Sequence, residues 1–192
     1  MRIKDESKES IIFETALLMI SKTGLSGLKM SQLAKEANIA TGTVYIYFKD
    51  KDELIRKLYL YLLKKTTLDY SKGLDENVPL KLKIKILTFN YLAESILHPE
   101  YGAFFEQYFR SPFFVENEMI KNEENTVLGP IYELVIEGQK QAIIKNINPE
   151  LLVSLVCGML NEVAKESIYT QSGIEKIDWE SIFTVIWDGI KS

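Results

Sequence analysis

A short run of uncharged polar and aromatic side chains carries the most specific chemistry in this sequence. The run T-G-T-V-Y-I-Y-F occupies residues 41–48, and a lysine lies on each side of it, at Lys29 and Lys51. Threonine and tyrosine hydroxyls donate and accept hydrogen bonds, and lysine binds anions. The methyl groups of threonine and isoleucine can contact the methyl group of thymine. The set therefore suits a surface that meets base edges and the phosphates beside them.

Each residue of this surface has an expected role. Val44 and Phe48 are four residues apart and form the inner face of a helix, which leaves the remaining side chains on its outer face. The threonines and Ile46 would contact bases, Gly42 would let the backbone approach closely, and the tyrosines and lysines would bind phosphates. The predicted DNA-binding residues are Lys29, Thr41, Gly42, Thr43, Tyr45, Ile46, Tyr47 and Lys51.

Two short helices and a turn are expected to position this surface. The first helix has leucine and alanine on one face, and Asn38 ends it because asparagine tolerates the left-handed conformation. The second helix begins at Thr41, and the D-x-x-E pattern from Asp50 to Glu53 caps the start of a third. This arrangement is a helix-turn-helix, whose second helix lies in the major groove of DNA.

The same stretch resembles the N-terminal DNA-binding domain of the TetR family of bacterial transcriptional regulators, from about Ile12 to Leu54. The family pattern T/G-T-x-Y-x-Y/H-F-x-x-K-x-x-L is matched by Gly42, Thr43, Tyr45, Tyr47, Phe48, Lys51 and Leu54. This chain departs from the family at Asn38, where glycine is common, and at Ala40, where serine usually precedes the recognition helix. We expect Thr41 to take over the capping that this serine provides.

Helical periodicity continues to the C-terminus, without period-two alternation, and predicts an all-α fold of about nine helices. The resemblance implies an N-terminal three-helix helix-turn-helix domain, residues 1–50, and a helical ligand-sensing and dimerisation domain, residues 51–192. A connecting helix from Lys51 to Tyr70 would join them. The resemblance also implies a homodimer, formed through the last two helices, that binds palindromic double-stranded DNA.

The charge distribution is compatible with DNA binding only in the N-terminal part. Residues 1–60 carry ten Lys and Arg against eight Asp and Glu, whereas residues 61–192 carry thirteen against nineteen. The N-terminal excess is small, so the electrostatic attraction to DNA is weak. Arg2, Lys4 and Lys8, in the charged N-terminal stretch, could approach the DNA backbone or be a solvated end.

An excess of aromatic residues marks the middle of the chain. These rings could line a cavity in which an apolar ligand is held and a tyrosine hydroxyl orients it. They could equally fill the core, as aromatic side chains usually do. The predicted ligand-binding residues are Phe89, Tyr91, Tyr101, Phe104, Phe105, Tyr108 and Phe109.

Several functions are disfavoured by composition. With one histidine and one cysteine, a His/Cys zinc cluster is excluded and a Ser-His-Asp or Cys-His catalytic site has little support. No cofactor, metal site or enzymatic activity is expected. Cys157 lies among apolar residues and is interpreted as a core residue, with a redox switch as the alternative. No apolar run is long enough to span a bilayer and no apolar signal segment appears, so we expect a cytoplasmic protein without a membrane partner.

These observations predict a ligand-responsive DNA-binding transcriptional regulator, a repressor that an apolar or amphipathic small molecule releases from DNA. The alternative is an α-helical adaptor that uses its body for protein contacts and has little DNA affinity. The weak basic charge and Ala40 favour the adaptor.

Overall fold

The computed structural model describes residues 6–75, 77–114 and 118–192. Within these ranges the chain is helical, with one isolated bridge between Ile144 and Lys191 and no β-strand. The helices are α1 (Glu6–Gly27), α2 (Met30–Glu36), α3 (Thr41–Tyr47), α4 (Lys51–Tyr70), α5 (Leu80–Leu97), α6 (Pro99–Phe109), α7 (Glu118–Lys140), α8 (Pro149–Thr170) and α9 (Trp179–Ile190), with a short 3₁₀ turn at Ile174–Lys176. The prediction of an all-α fold with about nine helices is confirmed.

Local chemistry explains where several of these helices begin and end. The side chain of Asn148 accepts a hydrogen bond from the Leu151 N–H at 2.9 Å and caps α8, and Pro149 follows at the first helical position. Asp178 caps α9 in the same way through the Ser181 N–H at 3.2 Å. Helix α1 departs from helical geometry at Gly24, where φ is 72° and ψ is 170°.

The helices form two compact units. The first contains the described residues of 6–62 and 100–114, and the second contains 63–99 and 118–192. Helix α4 contributes to both, and α6 belongs almost wholly to the first. Compactness thus groups the chain differently from the predicted domains 1–50 and 51–192, whose roles remain predictions.

The first unit has an apolar core shared by α1, α3 and α4. The Phe13 and Phe48 rings lie 5.2 Å apart between centroids, and Tyr61 stacks on Phe13 at 4.8 Å. Val44 and Leu54 are fully buried beside them. Burial of these side chains fixes α3 against α1, as the spacing of the apolar residues predicts.

The second unit is built around α5, α8 and α9. Its core contains Leu92, Leu160, Phe183 and Ile186, all at most 4% exposed. The C-terminus of α9 is tied to the segment between α7 and α8, because the Lys145 N–H donates to the Ile190 carbonyl at 2.9 Å. Among the described residues, no helix is both long and apolar enough to cross a membrane.

Candidate nucleic-acid interface

Helices α2 and α3 are joined by a tight turn. Asn38 has the left-handed backbone conformation, with φ of 54°, and the Ile39 N–H donates to the Ala34 carbonyl at 2.9 Å. Leu33 and Ala34 of α2 are buried, as is Val44 of α3. The predicted helix-turn-helix geometry, including the role of Asn38 in ending α2, is therefore present in the structure.

Most of the predicted DNA-binding side chains lie on the solvent side of α3. Tyr45 is 52% exposed and Ile46 is 48% exposed, so both side chains are accessible to a partner. Thr41 and Gly42 are exposed and Thr43 is half-buried on the same short helix. Lys29, immediately before α2, is also exposed. Their contacts with DNA remain predictions.

The placement of Tyr47 on the outer face was wrong. Its side chain is only 5% exposed, and its ring centroid lies 6.3 Å from that of Phe48. Tyr47 is three residues after Val44, so helical periodicity turns both toward the interior. A contact between the Tyr47 hydroxyl and a phosphate is still a prediction, but the ring belongs to the core.

The expectation that Thr41 caps α3 was also wrong. Ala40 occupies the N-cap position with extended backbone geometry, φ −66° and ψ 138°, and contributes no side-chain cap. Thr41 is the first helical residue. A residue at that position cannot cap the helix, so the methyl side chain of Ala40 leaves the first turn of α3 without the usual hydroxyl.

The start of α4 has the capping pattern that the sequence predicts. The Asp50 carboxylate accepts from the Glu53 N–H at 2.8 Å, and the Glu53 carboxylate accepts from the Lys49 N–H at 2.6 Å. The Lys51 ammonium donates to the Ser26 carbonyl at 3.2 Å, and desolvation lowers the pKa of this lysine. The Lys51 ammonium can therefore contact a phosphate only if it releases the Ser26 carbonyl or donates to both oxygens. Arg2 and Lys4 lie outside the described residues.

The seven predicted ligand-binding aromatics are divided between the two compact units. Tyr101, Phe104, Phe105, Tyr108 and Phe109 belong to the first unit, whereas Phe89 and Tyr91 of α5 belong to the second. In the first unit, Tyr108 is fully buried and stacks on Tyr59 of α4 at 4.4 Å. Phe105 and Phe109 meet Tyr59 edge-on at 5.9 and 5.7 Å. The α6 rings thus attach this helix to the unit that carries the helix-turn-helix.

The second unit contains a cluster of polar side chains formed by Tyr70, Tyr91, Cys157 and Asn161. Of these, only Tyr91 was among the predicted ligand-binding residues. The Tyr91 hydroxyl donates to the Asn161 side-chain oxygen at 2.9 Å, and the Tyr70 and Tyr91 rings lie 4.8 Å apart. Burial raises the pKa values of both tyrosines above their ordinary range. Burial also raises the pKa of the Cys157 thiol to about 11. Asn161 lies four residues after Cys157 on α8, and this polar spacing on a largely apolar helix was the signal available in the sequence.

Phe89, in contrast, packs at the surface of the second unit. It is 39% exposed and meets Trp179 of α9 edge-on at 5.4 Å. No group of His, Cys, Asp and Glu side chains with the geometry of a metal site occurs in the described part of the chain.

Comparison with known proteins gives the family. Residues 12–58 match the model of the bacterial regulatory proteins of the tetR family, and residues 79–191 match a tetracyclin repressor-like C-terminal domain. An HTH-type transcriptional regulator of Haemophilus influenzae is 26% identical over 188 residues, covering 98% of this chain and 97% of that protein. A TetR-family transcription regulator from Shewanella sp. PV-4 has a TM-score of 0.85 at 25% identity, covering 96% of this chain and 98% of that one.

A TetR-family structure from Haemophilus influenzae superimposes with a TM-score of 0.83 at 24% identity, over 100% of both chains. The family consists of transcription regulators rather than enzymes, in agreement with the prediction. Both family models together cover the helix-turn-helix and the helical body. The chain therefore belongs to the TetR family and is a transcriptional regulator with a helix-turn-helix DNA-binding domain.

Proposed function

We propose that this regulator is a homodimeric repressor that an apolar or amphipathic small molecule releases from a palindromic operator. In this proposal residues 1–50 bind DNA, and residues 51–192 sense the ligand and form the dimer. The observation that carries it is the solvent-exposed apolar surface on α8, which a monomer would leave in water.

The α8 surface consists of Leu151, Leu155 and Met159, which recur every four residues along one side of the helix. They are 52%, 56% and 38% exposed. Gly158 lies beside them, with no other atom within 4 Å of where its Cβ would be. An exposed glycine inside a helix costs about 1 kcal/mol of helix stability relative to alanine. Because glycine has no side chain, it lets the backbone of a partner helix pack closely at this point.

Helix α9 supports the same interface. Val185 is 64% exposed, and Gly189, four residues later, also has open space where its Cβ would be. Pairing α8 and α9 with the same helices of a second copy would bury these surfaces in a four-helix bundle. Two copies of α3 could then read two half-sites about one DNA turn apart, roughly 34–36 Å.

For the ligand, the second unit offers the half-buried hydroxyl of Tyr91 and the half-buried amide of Asn161, and Tyr91 packs against the apolar core. A mostly apolar site with a few fixed polar groups is typical of small-molecule sites. Of the seven predicted residues, Tyr91 is the one best supported by this environment. The five aromatics of α6 are supported as ligand contacts only if the ligand reaches the first unit.

Fluorescence anisotropy tests the DNA part of the proposal. The protein is titrated onto duplexes from its own upstream region and onto scrambled duplexes of equal length, at two salt concentrations. We expect tight binding to one upstream duplex alone, a Thr43→Ala variant with altered base preference, and a Lys29→Ala variant that is weaker on every duplex. Equal, weak and salt-sensitive binding to all duplexes would favour the adaptor. A panel of apolar and amphipathic compounds then tests for release.

A further inference from the structure

Helix α6 contacts α1 at the point where α1 is broken. The backbone N–H of Leu25 donates a hydrogen bond to the side-chain oxygen of Gln107 at 3.0 Å, across 82 residues of sequence. The break itself is at Gly24, whose φ of 72° takes the backbone out of the helical conformation. Gln107 therefore supplies an acceptor to a backbone donor at the helix break.

The fit at this break is close. A Cβ on Gly24 would lie 3.2 Å from the Gln107 side-chain oxygen, which is tighter than most real contacts of a Cβ. The positive φ also disfavours any side chain there. Glycine at position 24 thus allows both the backbone turn and the approach of the amide.

Gln107 is itself held in place by the rings beside it. Tyr108, the next residue, is fully buried and stacks on Tyr59 at 4.4 Å. Phe105 packs edge-on against Tyr59 at 5.9 Å. Buried aromatic packing of this kind fixes both the position and the rotation of α6 on α4. The amide of Gln107 is consequently presented to α1 by a rigid element.

The segment that Gln107 contacts leads directly into the helix-turn-helix. We call residues 24–28 the α1–α2 corner, because α2 begins at Met30. Leu25 and Leu28 are 6% and 2% exposed, and the Ser26 carbonyl accepts from the Lys51 ammonium at 3.2 Å. The corner is thus attached to α4 by Lys51 and to α6 by Gln107.

From these contacts we propose that Gln107 is a positioning residue for DNA binding. Its side-chain oxygen fixes the α1–α2 corner and thereby the orientation of α2 and α3 within the first unit. The effect of Gln107 on DNA binding rests on the proposed function, whereas its effect on the orientation of α2 and α3 does not.

The neighbouring groove allows the bond to be perturbed without unfolding the unit. An open groove of about 730 Å³ is lined by Gln107, the α1–α2 corner and Lys51, and also by Arg110. The Arg110 guanidinium is paired with Glu106 at 3.2 Å. A substitution at Gln107 therefore faces a partly open space rather than a closed core.

Two substitutions separate the hydrogen bond from side-chain volume. Gln107→Leu keeps a side chain of similar size and removes the acceptor, whereas Gln107→Glu keeps an acceptor oxygen. Glu106→Leu, which lines the same groove but pairs with Arg110 rather than with the corner, is the control for adding an apolar residue there. Hydrogen exchange followed by mass spectrometry reports on peptides covering residues 24–28 and 30–48, and anisotropy reports the dissociation constant for upstream DNA.

We expect Gln107→Leu to raise the exchange rate about tenfold both at the corner and in α2–α3, and to weaken specific DNA binding about tenfold. Gln107→Glu and Glu106→Leu should resemble the wild type in exchange at both peptides, whereas their DNA affinities also reflect the charge that each variant changes in the groove beside Lys51. If exchange rises at the corner while α2–α3 is unchanged, or if the Leu and Glu variants exchange alike, the proposal is overturned. A wild-type protein without specific DNA binding would contradict the proposed function alone, because the exchange measurement still decides the role of Gln107.

Discussion

Replacing Gly42 by alanine should strengthen the fold and weaken DNA binding. Gly42 is the second residue of α3, it is exposed, and no other atom lies within 4 Å of where its Cβ would be. Its φ is not in the left-handed region. Alanine is therefore free of strain in the protein, and it should stabilise the helix by up to about 1 kcal/mol.

The effect on DNA binding should have the opposite sign. If the backbone at Gly42 lies against a base edge or a phosphate, the added methyl group must push it away, at a cost of about 1 kcal/mol, the lower end for overpacking. A dimer carries the substitution at both half-sites, which gives about 2 kcal/mol. That corresponds to a dissociation constant about 30-fold higher.

Thermal unfolding and fluorescence anisotropy measure the two effects on the same preparation. The salt dependence of binding should be unchanged, because no charge is removed from the interface. Gly102→Ala is the matched control, since Gly102 is also exposed in a helix of the first unit with open space at its Cβ, but lies on α6. Wild-type DNA affinity in a Gly42→Ala variant that unfolds at or above the wild-type temperature would refute a close backbone approach at this position.

Three further substitutions or treatments test other parts of the structure. If the proposed dimer forms through α8, Leu155→Glu should convert it to a monomer at micromolar concentration in analytical ultracentrifugation while retaining helical circular dichroism, because Leu155 is 56% exposed in the single chain. Gly138→Ala should lower the stability by up to about 2 kcal/mol in urea unfolding, since the new Cβ would lie 2.6 Å from Ile144 Cδ1 and 2.7 Å from Leu80 Cδ2, and the overpacking cost of about 1–3 kcal/mol is offset by about 1 kcal/mol of helix propensity. Cys157, which is half-buried, should react with a maleimide at pH 7.5 much more slowly in the native protein than after denaturation, because burial raises the pKa of its thiol to about 11; equally rapid reaction in both states would revive the redox alternative.

Features that depend on local chemistry could be predicted from the sequence. Asn38 adopts the left-handed conformation, Asp50 and Glu53 form their capping bonds, and Asn148 caps α8. Each of these effects involves residues within a few positions of one another. The residue type and its spacing therefore contain most of the physical information that determines the conformation.

Features that depend on distant partners could not be predicted in the same way. The excess of aromatic residues marks Tyr108 as a pocket or core residue, but it carries no information that its ring stacks on Tyr59. The bond between Gln107 and Leu25 joins residues 82 positions apart and involves a backbone donor that any residue type would provide. Tyr47 is a different case, because its place three residues after Val44 indicates the core, and its burial could be predicted from this spacing alone.

The way the chain passes between the two units constrains how a ligand could act on DNA binding. The chain crosses from the first unit to the second between Leu62 and Leu63, inside α4. It returns to the first unit between Pro99 and Glu100, at the start of α6. A third crossing adjoins residues outside the described ranges. Helices resist bending because each turn is hydrogen-bonded to the next, so we expect a rotation of the α4 segment in the second unit to be carried toward Lys51.

Such coupling has a thermodynamic requirement that does not depend on the identity of the ligand. A ligand that weakens operator binding tenfold must itself bind tenfold more weakly to the DNA-bound dimer, since both effects measure one coupling free energy of about 1.4 kcal/mol. Because α6 packs within the first unit, through Tyr108 on Tyr59 and Gln107 on Leu25, a ligand bound only in the second unit does not touch these side chains, and we expect substitution of Tyr91 to weaken its binding. A ligand that touched the α6 aromatics would instead act on the first unit directly, and substitution of Tyr91 would then leave its affinity unchanged.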